Sequence, residues 1–156
     1  MSFHEGQIIV HPHHGPALVR SIRTRGANEI RYLVLEIRSS RLIDWVPLEK
    51  ADSIGLRPVM SREELEKVFD VLRAPADAEQ PQWSKRFKEN TELLSTGDLM
   101  DTARVVRNLT LRERDKGLSR AEQDMLREAR KPLLTELTVS LDISEEAAAA
   151  MVAELA

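Results

Sequence analysis

The periodicity of the sequence changes at residue 61, in the stretch SREELEKVFDVLR that covers residues 61–73. Ser61 and Glu64 have the spacing of a capping box, in which a hydroxyl and a carboxylate bind free backbone N–H groups at a helix start. Apolar residues then recur every three or four positions, as on one face of a helix; they are Leu65, Val68, Phe69 and Leu72. Pro75 disfavours helix in the residue before it. We therefore predict a helix over residues 62–73, with different structure on either side of it.

The sixty residues before this helix carry the signals of short strands. Four runs rich in β-branched, leucine and aromatic residues are separated by turn-type residues; they cover residues 8–10, 17–19, 32–37 and 42–46. Pro47 lies where the last of these strands should end. The spacing predicts a small, strongly bent antiparallel sheet or barrel, whose open edges must be blunted or used by a partner.

The residues after the helix are predicted to form a linker and then helices alone. Residues 74–82 contain two prolines, several alanines and two acidic residues, which is the composition of a linker. The predicted fold is therefore α+β, with a small β domain followed by an all-α C-terminal domain. The predicted boundaries are residues 1–60 with the following helix 62–73, a linker over 74–82, and a helical domain over 83–156.

Local signals divide the helical half into its helices. Gly97 is predicted to end one helix in the left-handed conformation, and Asp98 is predicted to cap the next. Ser119 and Glu122 have the spacing of a second capping box. Pro132 interrupts the apolar stripe of the helix that follows, and a kink or break is therefore predicted near residue 131.

Composition limits the possible classes of protein. The chain has 156 residues, of which 42% are hydrophobic and 31% charged, and it has no cysteine, so disulfides and thiolate metal sites are excluded. No signal peptide and no apolar run of about 18 residues is evident, which predicts a cytoplasmic protein. Residues 83–131 hold 12 basic and 9 acidic residues, whereas residues 132–156 hold 5 acidic residues and no basic ones. Any contact with DNA is therefore expected in the middle third.

Motifs for catalysis are missing, and the histidines near the N-terminus leave one alternative open. The sequence contains no phosphate loop, no GxSxG and no HExxH, so we predict that the protein is not an enzyme. His11, His13 and His14 resemble a metal-binding cluster, but a stable site needs a further ligand and defined geometry. A tight turn that uses the conformational freedom of Gly15 is the favoured interpretation. A metal-dependent enzyme built around these histidines is the least favoured hypothesis for the function.

The stretch WSKRFK over residues 83–88 combines an indole with three cations. Proteins that bind the minor groove use cations to hold phosphates and an apolar side chain to enter a deformable base step. The alternative is a core tryptophan that stacks on Phe87 one helical turn later, with the cations in solvent. The pattern by itself leaves both interpretations open.

Arginines cluster around the second and third predicted strands; they are Arg20, Arg23, Arg25 and Arg31. Such a cluster is often no more than a solvated face. An exposed sheet edge with arginines is also suited to an acidic protein surface, and Trp45 beside Val46 and Pro47 offers an aromatic anchor.

Several motifs, in order along nearly the whole chain, resemble the CarD/CdnL family of bacterial transcription regulators. They are VHPHHGPA (residues 10–17), YLVL (32–35), VP (46–47), VFDVLRAP (68–75), WSKRFK (83–88), LS (118–119) and ML (125–126). The resemblance implies a Tudor-like N-terminal domain that contacts the β subunit of RNA polymerase. It also implies a helical domain that contacts the minor groove of promoter DNA at the upstream edge of the melted −10 region. Such a protein stabilises the open promoter complex, needs no cofactor and is expected to be a monomer.

The resemblance also assigns roles to single residues. The implied DNA-binding residues are Trp83, Lys85, Arg86 and Lys88, and the implied polymerase-binding residues are Arg23, Arg25, Trp45, Val46 and Pro47. Two positions depart from the family pattern, since Trp45 stands where related sequences carry Arg and Gln123 stands where a basic residue is expected. The second hypothesis is accordingly an interaction module whose helical domain binds protein and not DNA.

Overall fold

Five strands and a short helix make up the first of two units in the computed structural model, which describes residues 2–156. The strands are β1 (Ile8–His11), β2 (Gly15–Arg25), β3 (Ile30–Ile37), β4 (Ile43–Pro47) and β5 (Arg57–Pro58), and α1 covers Ala51–Ile54. They form one antiparallel sheet in the order β4-β3-β2-β1-β5. The predicted antiparallel sheet is confirmed, and β2 is longer than the sequence indicated. Its register on β3 shifts between Val19 and Ser21, a bulge of the kind that bends a strand.

Alternation along the strands determines which face of the sheet is buried. Leu33, Leu35 and Ile37 of β3 are buried in the core of this unit together with Ile9 and Val46. Neighbouring residues on a strand point to opposite faces, so the side chains between them lie on the outer face. The outer face of β3 and β4 is therefore the surface that remains for a partner.

The second unit contains five helices and begins at Met60. They are α2 (Arg62–Arg73), α3 (Trp83–Ser95), α4 (Leu99–Asp115), α5 (Arg120–Leu141) and α6 (Glu145–Leu155). The predicted caps are present, since Ser61, Asp98 and Ser119 each accept a hydrogen bond from a backbone N–H in the first turn. Gly97 has the predicted positive φ of 72°. None of the helices in residues 2–156 combines the length and hydropathy needed to cross a membrane.

The structure groups residues 60–82 differently from the predicted domain boundaries. The apolar stripe of α2, including Leu65 and Leu72, packs in the same core as Leu99 and Val106 of α4. The helix therefore belongs to the helical unit, although the sequence analysis attached it to the β domain. Residues 74–82 lie within this unit as well, where Asp77 forms ion pairs with arginines of α4. An amphipathic stripe indicates that a helix is packed, but it does not indicate which core it packs in.

Of the kink or break predicted near residue 131, the break is wrong, because α5 runs without interruption from Arg120 to Leu141. Proline removes one backbone hydrogen bond and crowds the preceding turn, which costs about 3 kcal/mol in a helix interior. On either side of it, Ala129, Leu133 and Leu137 are buried in the core. Their burial stabilises both halves of the helix and outweighs the local cost.

Candidate functional site

Trp83 is the first residue of α3 and remains accessible to solvent. It is 44% exposed, and it is the most exposed large hydrophobic side chain in residues 60–156, all of which the structure describes. Tryptophan is enriched among the residues that dominate binding energy at interfaces, which makes an accessible indole a candidate contact for a partner.

Two contacts hold the indole in one orientation. Its ring stacks on Phe87, with centroids 5.1 Å apart and planes 15° from parallel. Its Nε1 donates a hydrogen bond of 2.9 Å to the hydroxyl of Ser119, the N-cap residue of α5. The stacking foreseen in the core interpretation is therefore present, yet the indole is not enclosed by it. We call Trp83, Phe87 and Ser119 the indole surface.

Arg86 does not lie where the DNA-binding prediction placed it. Its side chain is 8% exposed and forms a bidentate ion pair with Glu122, with Nε and Nη2 at 3.0 and 3.3 Å from the two carboxylate oxygens. Burial raises the pKa of Glu122, but hydrogen bonds from Arg86 and Ser119 outweigh it and hold the pKa below its usual range. A guanidinium so engaged is not available to a phosphate. Arg86 instead links α3 to α5 through Glu122.

The two lysines of this stretch are exposed, but they lie at different places around the helix. With 3.6 residues per turn, Lys88 is about 140° from Trp83 around the axis of α3, and Lys85 is about 160° from it. Both are solvent-exposed. Lys88 therefore lies nearer to the indole around the helix than Lys85, which lies almost opposite it.

A second candidate surface covers the outer face of the sheet at strand β4. Trp45 contacts Tyr32 of β3 edge to face, with centroids 5.9 Å apart, and the guanidinium carbon of Arg25 lies 4.6 Å from the centroid of Trp45. Tyr32 is paired across the strands with Arg23 on one side and Pro47 on the other. Four of the five predicted polymerase-binding residues, Arg23, Arg25, Trp45 and Pro47, thus lie together, and with Tyr32 they form what we call the sheet-edge surface.

Val46 differs from its prediction as a contact residue. Its side chain is 3% exposed and packs in the core of the β unit, because it points to the face opposite Trp45. It can contribute to a partner only through its backbone, since β4 is an edge strand that pairs with β3 alone. Ile43, which the sequence analysis did not single out, is 51% exposed two residues before Trp45. Its position at i−2 was the available signal, because alternate residues of a strand share a face.

The histidine motif forms a turn whose hydrogen bonds argue against a metal site. His11 Nδ1 accepts hydrogen bonds from the backbone N–H groups of His13 and His14, at 3.1 and 3.3 Å. The neutral ring therefore carries its proton on Nε2, which faces Asp44 at 3.6 Å. Potential ligand atoms of His11, His14 and Asp44 do lie within 4.8 Å of one another, but the nitrogen that points at the carboxylate has no free lone pair. Burial lowers the pKa of His11, so the neutral ring is favoured, and Gly15 closes the turn at φ 75°.

Comparison with known proteins matches both units. Residues 3–60 match the family model of the CarD-like/TRCF RID domain, and residues 67–153 match that of the CarD C-terminal domain. The chain is 30% identical over 146 residues to a Bacillus subtilis (strain 168) protein named "Putative transcription factor YdeB". That alignment covers 92% of this chain and 95% of the relative.

Proposed function

This chain belongs to the CarD family of transcription regulators, and on that premise we propose that it binds RNA polymerase and promoter DNA together and stabilises the open promoter complex. The β unit binds the β subunit of the polymerase through the sheet-edge surface. The helical unit binds the minor groove at the upstream fork of the transcription bubble through the indole surface. The chemistry is that of binding, and no step of it requires a catalytic group or a cofactor.

The DNA half of this proposal, in which the helical unit binds promoter DNA, rests on the accessibility of Trp83. An indole that is 44% exposed and fixed by Phe87 and Ser119 loses little conformational freedom when it inserts between base pairs. Insertion is least costly where the base step is already distorted, as it is at the junction of duplex and melted DNA. Trp83 therefore favours the open state over the closed one.

Only such differential binding shifts the equilibrium between the two states. A preference of about 1.4 kcal/mol for open DNA changes the ratio of open to closed complexes tenfold. The polymerase contact brings the helical unit to the promoter at high local concentration, so the unit needs little affinity of its own. That arrangement suits a unit with few free cations.

The arrangement of strand β4 supports the polymerase half. Trp45, flanked by Arg25 and Tyr32, offers the kind of aromatic and arginine cluster that dominates binding energy at protein interfaces. The free edge of β4 presents unpaired backbone groups that an extended segment of a partner can bind as an added strand. Ile43 widens the apolar part of the contact.

The DNA half is tested by the lifetime of open complexes formed with Trp83→Ala. We expect a shorter lifetime than with the wild-type protein, while affinity for polymerase remains unchanged. Trp83→Phe, which retains an apolar ring, should lie between the two. A lifetime unchanged by Trp83→Ala contradicts the DNA half. If Trp83→Ala weakens a polymerase complex that contains no DNA, the helical unit binds protein instead.

The polymerase half is tested by titrating Trp45→Ala against purified RNA polymerase. Loss of a central aromatic anchor should weaken binding at least about tenfold, which corresponds to about 1.4 kcal/mol. Ile54→Ala removes an exposed apolar side chain from α1, outside the sheet-edge surface, and serves as the matched control. Equal affinity of the two variants would show that the sheet-edge surface is not the contact.

A further inference from the structure

We propose that Arg120 binds a phosphate of the DNA backbone beside Trp83, a role that neither the motifs nor the family resemblance assigned to it. This inference rests on the proposed DNA binding of the helical unit. It identifies a cation that accompanies the indole, a role that was predicted from the sequence for Lys85, Arg86 and Lys88.

Most basic residues in the middle third of the chain are already engaged within the protein. Residues 83–131 contain 12 lysines and arginines. Seven form ion pairs; they are Arg86, Arg104, Arg107, Arg112, Lys116, Arg127 and Lys131. Arg114 donates to the carbonyl oxygens of Ala153 and Ala156. Within this fully described stretch, Lys85, Lys88, Arg120 and Arg130 are the cations with neither an acidic partner nor a backbone oxygen acceptor.

Of these four, Arg120 is the one that the fold brings next to the indole. It directly follows Ser119, whose hydroxyl accepts the hydrogen bond from Trp83 Nε1 at 2.9 Å. That hydrogen bond joins the start of α3 to the start of α5. Consecutive Cα atoms are about 3.8 Å apart, so Arg120 lies at the edge of the indole surface. Arg130 lies ten residues further along α5, about 15 Å away along its axis.

A cation at the position of Arg120 destabilises the folded protein, and no described contact of Arg120 compensates for this. It is the first residue of α5 and is solvent-exposed. The positive end of the helix dipole lies there and repels a cation. The first-turn carboxylate, Glu122, is buried and paired with Arg86, so it does not offset this repulsion. A phosphate at the indole surface would supply the missing negative charge.

The test measures binding of the full chain to fork-junction promoter DNA as a function of salt concentration, starting at low ionic strength. Each phosphate contact contributes about 0.9 to the slope of log affinity against log salt on duplex DNA and about 0.7 on single strands. We expect Arg120→Gln to reduce the slope by about that amount and to weaken binding at low salt. Arg130→Gln is the matched control, being an unpaired arginine on the same helix, and should leave the slope unchanged.

Thermal unfolding separates this role from a structural one. Arg120→Gln should melt at the wild-type temperature or above it, because it removes a cation from the positive end of the dipole. If Trp83→Ala weakens DNA binding but Arg120→Gln has the slope of Arg130→Gln, the Arg120 contact is wrong and the proposed function stands. If neither Trp83→Ala nor Arg120→Gln changes binding to fork-junction DNA, measured with the free chain at low salt and with the chain bound to polymerase, the DNA half of the proposed function fails together with this inference.

Discussion

Replacing Arg86 with methionine should destabilise the helical unit strongly, because it leaves the carboxylate of Glu122 buried without its cation. The two side chains are 8% and 1% exposed, and two hydrogen bonds join them. At about 3 Å and an effective dielectric constant of about 20, their attraction is on the order of 5 kcal/mol. Desolvation of both charges offsets much of this energy, but removal of one partner leaves the other's desolvation uncompensated. We therefore expect Arg86→Met to lower the free energy of unfolding by about 3–5 kcal/mol.

Guanidinium denaturation followed by far-UV circular dichroism measures this loss, since the helices lie in the unit that contains the pair. The double variant Arg86→Met, Glu122→Met should regain most of the lost stability, because no buried charge remains. It should still fall about 1 kcal/mol short, because Glu122 also accepts hydrogen bonds from Ser119 at the helix cap. Lys131→Met disrupts an exposed ion pair and should change stability by less than about 1 kcal/mol.

Two results would refute the reasoning. If Arg86→Met loses less than about 1 kcal/mol, the carboxylate is solvated or relaxes to another partner, and the pair is not a buried structural element. If the double variant is less stable than Arg86→Met, the unpaired carboxylate of Glu122 stabilises the helix cap by more than its burial costs, and the predicted penalty for a lone buried charge is wrong. Either result would also reopen a direct role of Arg86 at DNA.

Three further predictions concern neighbouring features of the helical unit. The pKa of Glu122 is depressed, so its contribution to the free energy of unfolding is constant above the ordinary glutamate range and is lost as the pH falls below about 4.3. The pKa of Asp77 is depressed as well and adds to the loss. Denaturation midpoints between pH 7 and pH 3 measure the effect. Pro132→Ala should raise the free energy of unfolding by up to about 3 kcal/mol, because α5 is continuous there and alanine restores a backbone donor. Unchanged stability would contradict the cost assigned to the proline. Ser119→Ala should cost about 1 kcal/mol through loss of the N-cap and should alter the fluorescence of Trp83, whose Nε1 loses its acceptor. A spectrum identical to that of the wild type would contradict the Trp83 to Ser119 hydrogen bond.

The elements predicted from sequence are those whose causes are local. Ser61 and Ser119 cap their helices by binding backbone groups three residues away, and Gly97 ends a helix through its own φ angle. Strands β3 and β4 lie where runs of β-branched, leucine and aromatic residues predicted them, and that propensity is a property of the run itself. Such signals lie within a few residues of the structure they determine, so the sequence displays them directly.

The predictions that differ from the structure depend on residues that are far apart in the sequence. Whether α2 packs with the sheet or with the helices depends on which apolar surface it meets, and the stripe of α2 is compatible with either. Arg86 was predicted to be a DNA contact because Glu122, 36 residues away, is not visible in the local pattern. Pro132 was predicted to break a helix that distant side chains hold together.

The sequence by itself determined that a short-stranded β region precedes a set of capped helices, and that an indole with nearby cations begins one of them. Only the tertiary structure decided which of those cations are free, which face of β4 a partner can reach, and that Trp83 stays accessible beside Arg120. The reason is physical: hydrogen bonds within a turn and the alternation of a strand act over a few residues. Burial and ion pairing, in contrast, depend on groups that only the folded chain brings within a few ångströms of one another.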